Sequence, residues 1–420
     1  MGGPNHGIWC VTPAHSLPGA VAALLLLAAL SSCGSDRLVG PVTGIGVEEI
    51  DVFAQSFVQE WDILGAQFAV AREGKLVVAT AYGFVDRARS DTLGLEHVFR
   101  VASVSKPITG VAVMKAVDDG LLALDAKVFV ELLADLVPPE GPADPRLRDI
   151  TVDHLLHHAG GFDQVGDTEL LLRTKEVAEV MGVANPPDSD AIVGFVTRQP
   201  LGFSPGSDTR YTNVSYVTLG RVLERVSEQS YEAFVREHVF LPMGLTRPRL
   251  GGPLLEDRLP GEVEYNSRAE RWPSIFDGQT TADAPYGGLH LAGFDASSAW
   301  VMSAVDLARM GLSVDGRPGV PDLLSPTAHS IMVTDGAPGS LSYGAGWALV
   351  SANVAESLGF DRVAFWEHTG AMPGTTAYLA VREDGVTLAV VMNQVDGDFL
   401  TDLARGFHRE IGRASCRERV

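Results

Sequence analysis

The chain has 420 residues, 46% hydrophobic and 20% charged, a balance that excludes a disordered or fibrous protein. That length allows roughly two or three domain-sized units and a sizeable core. Acidic residues outnumber basic ones 53 to 32, and a formal net charge of −21 argues against binding nucleic acid, while three cysteines are too few for a disulfide framework.

In chain order, the apolar run Gly19–Leu30 is too short to span a bilayer and suits the core of an export signal. It ends in Leu30-Ser31-Ser32-Cys33, which resembles the lipobox of bacterial lipoproteins. The resemblance implies a signal over residues 1–33, cleavage before Cys33, a lipid anchor on its thiol and a polar tether over 34–46. Residues 1–18 carry no Lys or Arg, which departs from that pattern. After an ordinary export signal, Cys33 is instead a free thiol. Cys10 leaves with the signal in either case.

From Val47 to Leu64, apolar residues recur at Ile50, Phe53, Phe57 and Trp61, a helical stripe opened by Glu48 and Glu49. Ala66–Arg72 and Leu76–Phe84 read as a β-hairpin around Glu73-Gly74-Lys75. A short strand at Val98–Val101 leads into an apolar helix from Ser103 to about Val117. The stretch from about Leu121 to Leu250 is mostly helical, with clear pieces at Thr151–His158, Ala191–Arg198, Val214–Val226 and Tyr231–Phe240. Gly251 to about Ala292 is irregular. Strands return at Tyr343–Val350, Val363–Glu367, Thr376–Val381 and Val386–Met392, the last two joined at Glu383-Asp384-Gly385, and a helix follows from near Asp398. Residues 410–420 read as a translated sequencing adapter, so Cys416 carries no argument.

This order predicts an α+β fold: an antiparallel sheet assembled from both ends of the chain, flanked by helices, with a mostly helical region inserted between. One domain then covers 47–409. Its α/β part is about 47–102 and 285–409, and its helical part about 103–284.

Only five residues are lysine (Lys75, Lys106, Lys115, Lys127 and Lys175), so a lysine in a motif stands out. In Ser103-Val104-Ser105-Lys106 one helical turn separates Ser103 from Lys106, which puts both on one face. A buried lysine beside a serine has its charge disfavoured and can act as a base. The helix N-terminus adds N–H groups suited to an oxyanion. Alone, Ser-x-x-Lys also fits a solvated lysine next to a capping serine. Tyr211-Thr212-Asn213 is the only Tyr-x-Asn in the chain, and His368-Thr369-Gly370 ends a β-run and turns into the next.

These three motifs in this order resemble the class C β-lactamase, DD-peptidase and family VIII esterase superfamily of serine hydrolases. The flanks agree: VFRVASVSKPITG, TVDHLLHHAGGF, SPGSDTRYTNVSYVTLG, FLPMGL, YGAGW and EHTGAMPGTTAYL. The resemblance covers about Val47 to Phe407 and implies a β-lactamase/transpeptidase-like fold. It implies Ser103 as acylated nucleophile, Lys106 as the group that takes or relays its proton, and Tyr211 as partner base and leaving-group acid. It implies Asn213 orienting Lys106 and the substrate carbonyl, and an oxyanion hole from the N–H groups of Ser103 and Ala371. His368, Thr369 and Gly370 would line the substrate. β-Lactamases of this superfamily typically carry lysine where His368 stands. A histidine near pH 7 is mostly neutral and holds an anion less firmly. That leans toward a peptidase or esterase.

Two rival sites lose. Gly202-Phe203-Ser204-Pro205-Gly206 matches a nucleophile elbow, but Pro205 has no N–H for an oxyanion. Asp153, His154, His157 and His158 cluster with a zinc-like spacing, yet no glutamate follows the first histidine; buried or supporting histidines are the expectation. No metal or organic cofactor is implied. The expected function is an exported, membrane-tethered serine hydrolase acting on ester, D-amino-acid peptide or β-lactam carbonyls. The expected partners are a small-molecule or peptide acyl donor and, through the lipid anchor, a membrane. The alternative is a penicillin-binding or peptidoglycan-sensing module that acylates without turnover. Nothing in the pattern sets an oligomeric state.

Overall fold

The computed structural model describes residues 47–162, 173–339, 341–394 and 402–410. The export segment with Cys33, the tether, the start of the last helix and residues 411–420 lie outside them.

The strands in chain order are β1 (Gly65–Arg72), β2 (Lys75–Gly83), β3 (Phe99–Arg100), β4 (Arg249–Leu250), β5 (Arg271–Pro273), β6 (Thr281–Asp283), β7 (Trp300–Met302), β8 (Ala348–Val350), β9 (Phe365–Met372), β10 (Thr375–Arg382) and β11 (Val386–Met392). Six form an antiparallel sheet in the order β2-β1-β11-β10-β9-β8. The N-terminal hairpin is zipped onto the C-terminal meander through β1 and β11, with Ala66 opposite Met392 and Arg72 opposite Val386. The expected assembly from both chain ends is therefore observed. The hairpin turn needs only Glu73 and Gly74, both left-handed (φ 48° and 78°), the geometry that matches strand twist in a two-residue loop.

Period-two alternation gives the sheet two buried faces. On one, Phe68, Val70, Tyr378 and Val390 pack against helix α1 (Val47–Glu60) through Ile50 and Phe57, and against residues 402–410 through Leu403 and Phe407. On the other, Ala69, Leu379 and Val381 join the large core shared with the helical region. Its centre is helix α2 (Ser105–Asp118), apolar on nearly every side and buried from Ser105 to Met114.

Several boundaries differ from the sequence reading. Ser103 sits in a 3-10 turn (Ala102–Val104), two residues before α2 begins. The strand read as Val363–Glu367 runs to Met372, so His368-Thr369-Gly370 lies inside β9 and the turn is Pro373-Gly374. Of Tyr343–Val350 only Ala348–Val350 is strand, because Gly344 and Gly346 break the ladder. The segment read as irregular contains the β5–β6 hairpin, and the mostly helical stretch includes a further helix at Thr174–Met181.

Candidate active site

Ser103 is delivered by a short sheet. β3 pairs with β7, and β7 with β4, so the chain leaving Arg100 enters the 3-10 turn at a fixed height over the helical region. Ala102, immediately before the serine, is left-handed (φ 47°), a conformation that costs a side-chain-bearing residue about 1–2 kcal/mol. The bend turns Ser103 out of the core while Ala102 and Val104 stay buried. Beneath it, Lys106 is fully buried. Its Nζ donates to Ser103 Oγ (3.1 Å), Asn213 Oδ1 (2.6 Å) and the Ser297 carbonyl oxygen (3.3 Å). The amide and carbonyl oxygens can only accept; the Ser103 hydroxyl can also give a proton. As the free amine, Lys106 can instead accept from that hydroxyl.

The Tyr211-Thr212-Asn213 segment is a helix entry. The Thr212 side chain accepts from Val214 N–H at the start of the helix Asn213–Ser227, fixing Asn213 at its first turn. The Lys106 ammonium stands 4.7 Å from the Tyr211 ring centroid, in cation–π range. The helix cap at Thr212 is thus compatible with the roles expected of Tyr211 and Asn213. His158 holds the segment from behind: its Nδ1 accepts from Thr212 N–H (3.2 Å), its carbonyl oxygen accepts from Arg210 N–H (3.1 Å), and its ring lies 4.6 Å from that of Tyr211. Burial, then the neighbouring Lys106 charge, hold His158 well below its ordinary pKa.

Asp153, His154 and His157, on the short helix Val152–Leu156 and at its C-terminal end, are structural. Thr151 and His154 form a capping box, and His157 Nδ1–H donates to the Asp153 carbonyl oxygen. No metal-holding cluster exists among the described residues. Ser204 of the rival elbow lies in a loop, where it accepts hydrogen bonds from Arg146 and Ser207.

β9 closes the site on its other side. Met372 faces Thr375 across the two-residue turn, and Glu383 N–H donates to the Ala364 carbonyl in the same register. Even-numbered residues of β9 are therefore in hydrogen-bonded pairs with β10, and odd-numbered N–H groups point away. β8 covers that outer edge only from Phe365 to Glu367. The Ala371 N–H is left directed at the cleft that Ala371 lines with Ser103, a geometry suited to an oxyanion.

His368 departs from the expected substrate contact. Its ring is buried; Nδ1–H donates to the Thr369 carbonyl oxygen (2.6 Å), which fixes the tautomer and leaves Nε2 to accept from the Tyr343 hydroxyl (3.0 Å). Burial, then the Lys106 charge, push it down to about 3. Glu367 faces the opposite side and accepts from the Tyr378 hydroxyl, so it does not support His368.

Two contributions carried no sequence signal. The Ser297 carbonyl is main chain, held by a short helix (Asp295–Ser298) that the buried Arg221–Asp295 pair (2.6 Å) ties to the Asn213 helix. Tyr343 and Gly346 belong to YGAGW, noted only as a flank. A β-carbon on Gly346 (φ 91°) would stand 2.7 Å from the Lys106 carbonyl oxygen, so this loop seals the floor under the lysine.

A family model described as Beta-lactamase matches residues 53–412. Penicillin-binding protein 4 of Amycolatopsis lactamdurans is 29% identical over 369 residues, 82% of this chain and 85% of that protein. Esterase EstB of Burkholderia gladioli is 32% identical over 206 residues, 47% of this chain and 49% of the esterase. The structure of D-amino acid amidase from Ochrobactrum anthropi SV3 shares the fold, with a TM-score of 0.67 at 20% identity, covering 89% of this chain and 99% of that one.

Proposed function

Because the chain belongs to the Beta-lactamase family of serine hydrolases, we propose that it hydrolyses ester or amide carbonyls through an acyl-enzyme on Ser103. The observation that carries this reading is the buried Lys106 Nζ held between Ser103 Oγ and Asn213 Oδ1. In the forward step, Ser103 Oγ attacks the carbonyl carbon as its proton passes to the Lys106 amine, with Tyr211 as the partner base. The tetrahedral oxyanion is met by the N–H groups of Ser103 and Ala371. The bond to the leaving oxygen or nitrogen then breaks as that atom takes the proton back from Lys106 or Tyr211. Water attacks the ester by the reverse relay, releases the acid and regenerates the serine.

We further propose that the protein is exported and tethered at Cys33, and that it is an esterase or peptidase before it is a β-lactamase. The similarity to an esterase and to a penicillin-binding protein supports that range of substrates. The experiment compares wild type with Ser103→Ala on a chromogenic cephalosporin, p-nitrophenyl butanoate and a D-Ala-D-Ala peptide, with mass spectrometry of the trapped enzyme. A stoichiometric adduct on Ser103 with turnover supports the enzyme. An adduct without turnover supports a sensor. Unchanged turnover in Ser103→Ala removes the nucleophile.

A further inference from the structure

A cleft of about 200 Å³ opens directly beside Ser103. Its near wall is Ser103, Asn213 and Ala371, and its far wall is Trp272, Leu291 and Met372. The far wall belongs to a small apolar cluster of its own, in which Leu289, Leu291 and Ala299 pack with Trp272 and Met372. Tyr211, the proposed leaving-group acid, is not part of the lining. A substrate whose carbonyl sits at Ser103 has room for one of its two substituents in this cleft.

The charge pattern is as definite as the shape. No Lys, Arg, Asp or Glu lines the cleft among the described residues. Its imidazole, His290, is buried, bonded through Nε2 to the Pro187 carbonyl, and held below its ordinary pKa by that burial. His368, where a cation would meet a substrate carboxylate, is neutral and committed to Tyr343. A carboxylate placed against the Trp272, Leu291 and Met372 wall would lose water with no cation in the lining to replace it. The wall is also pre-built: Arg100, buried, donates to the carbonyls of Gly252 and Pro285 and stacks 4.4 Å over Tyr265. That clamp fixes both ends of the segment carrying Trp272.

We infer that this cleft selects substrates with an uncharged, apolar acyl group and rejects acyl groups bearing a carboxylate, with Trp272, Leu291 and Met372 setting the preference. The inference rests on the reading of Ser103 as the acylated nucleophile and names the substrate class of that site.

The test uses p-nitrophenyl acetate, butanoate and hexanoate with the mono-p-nitrophenyl ester of succinate, on wild type, Leu291→Trp, Trp272→Ala and Ser103→Ala. Wild-type kcat/KM rises roughly fourfold for each methylene buried, so about fifteenfold from acetate to butanoate. The succinate ester falls at least tenfold below butanoate. Leu291→Trp, which fills the cleft, reduces the butanoate-to-acetate ratio about tenfold, and Trp272→Ala moves the optimum to longer chains. Should Leu291→Trp fail to fold, the Trp272→Ala shift decides alone. A flat chain-length profile, or succinate turned over as well as butanoate, overturns the inference. If Ser103→Ala abolishes turnover while the wild-type profile is flat, only this inference falls. If Ser103→Ala keeps the wild-type rates, the nucleophile assignment falls instead.

Discussion

Gly370 and the Val101 carbonyl approach so closely that a β-carbon on Gly370 would stand 2.2 Å from that oxygen and 3.2 Å from the Ser103 nitrogen. The contact presses the edge of β9 onto the turn that carries Ser103. It brings the two N–H groups of the proposed oxyanion hole, those of Ser103 and Ala371, to one cleft. Gly370→Ala should force the strand and turn apart, costing about 1–3 kcal/mol of stability. Esterase turnover should fall further than that loss accounts for, because the donors separate. A denaturant titration with kcat on p-nitrophenyl butanoate checks both. A variant with wild-type kcat would mean that this contact does not set the donor spacing.

Lys106 is the group whose removal separates chemistry from folding. Lys106→Met keeps most of the side-chain volume and deletes the proposed proton acceptor, so kcat/KM should drop by about 10²–10⁴-fold. The melting temperature should hold or rise, since an apolar chain replaces a buried amine. Activity and thermal melts on one preparation decide it. A variant that keeps its rate places the base elsewhere.

Ala102 stores strain where the serine needs it. Ala102→Gly relieves the left-handed backbone (φ 47°) but frees the unfolded chain, for a net stability gain of up to about 1 kcal/mol. With the turn loosened, kcat should fall while KM changes less. The check is a urea midpoint alongside steady-state kinetics, and a lower midpoint would show that no strain resides there.

The last helix should make the protein acid-sensitive. His408 is buried on the sheet's outer face, with Nε2 at the Tyr378 hydroxyl and Nδ1 at Arg382. Burial, then the Arg382 charge, push it from 6.5 to about 3. Below pH 6.5 the unfolded chain binds a proton that the folded chain refuses. The stability held above 6.5 is therefore lost progressively until about pH 3, by about 1.4 kcal/mol per pH unit. Asp295, raised to about 6 by burial, works in the opposite sense, and comparison with a single variant cancels it. Urea unfolding of His408→Gln from pH 7 to 4 should show a shallower slope than wild type by that amount. Parallel slopes would rule out this histidine as a source of acid lability.

Legibility followed the range of each interaction. The Ser103–Lys106 spacing is local and helical, so a sequence reading could place both on one face. That the two chain ends share one sheet was foreseeable because β-rich runs at both ends flank a helical middle; that β1 and β11 are the strands that meet was not. The extent of β9 was misjudged because His368-Thr369-Gly370 looks like turn chemistry. Gly370 is there to admit the Val101 carbonyl, a close approach that only the folded chain reveals.

The amino-acid sequence alone determined which side chains can do the chemistry, because hydroxyl, amine and phenol must be encoded and their spacing survives in any fold that keeps the motifs. It could not determine what those groups face. The inward turn of His368 onto Tyr343, the Ser297 carbonyl on Lys106 and the apolar wall of Trp272, Leu291 and Met372 come from segments distant in the chain. Burial and main-chain direction, which no residue type specifies, decided the charge and shape of the cleft.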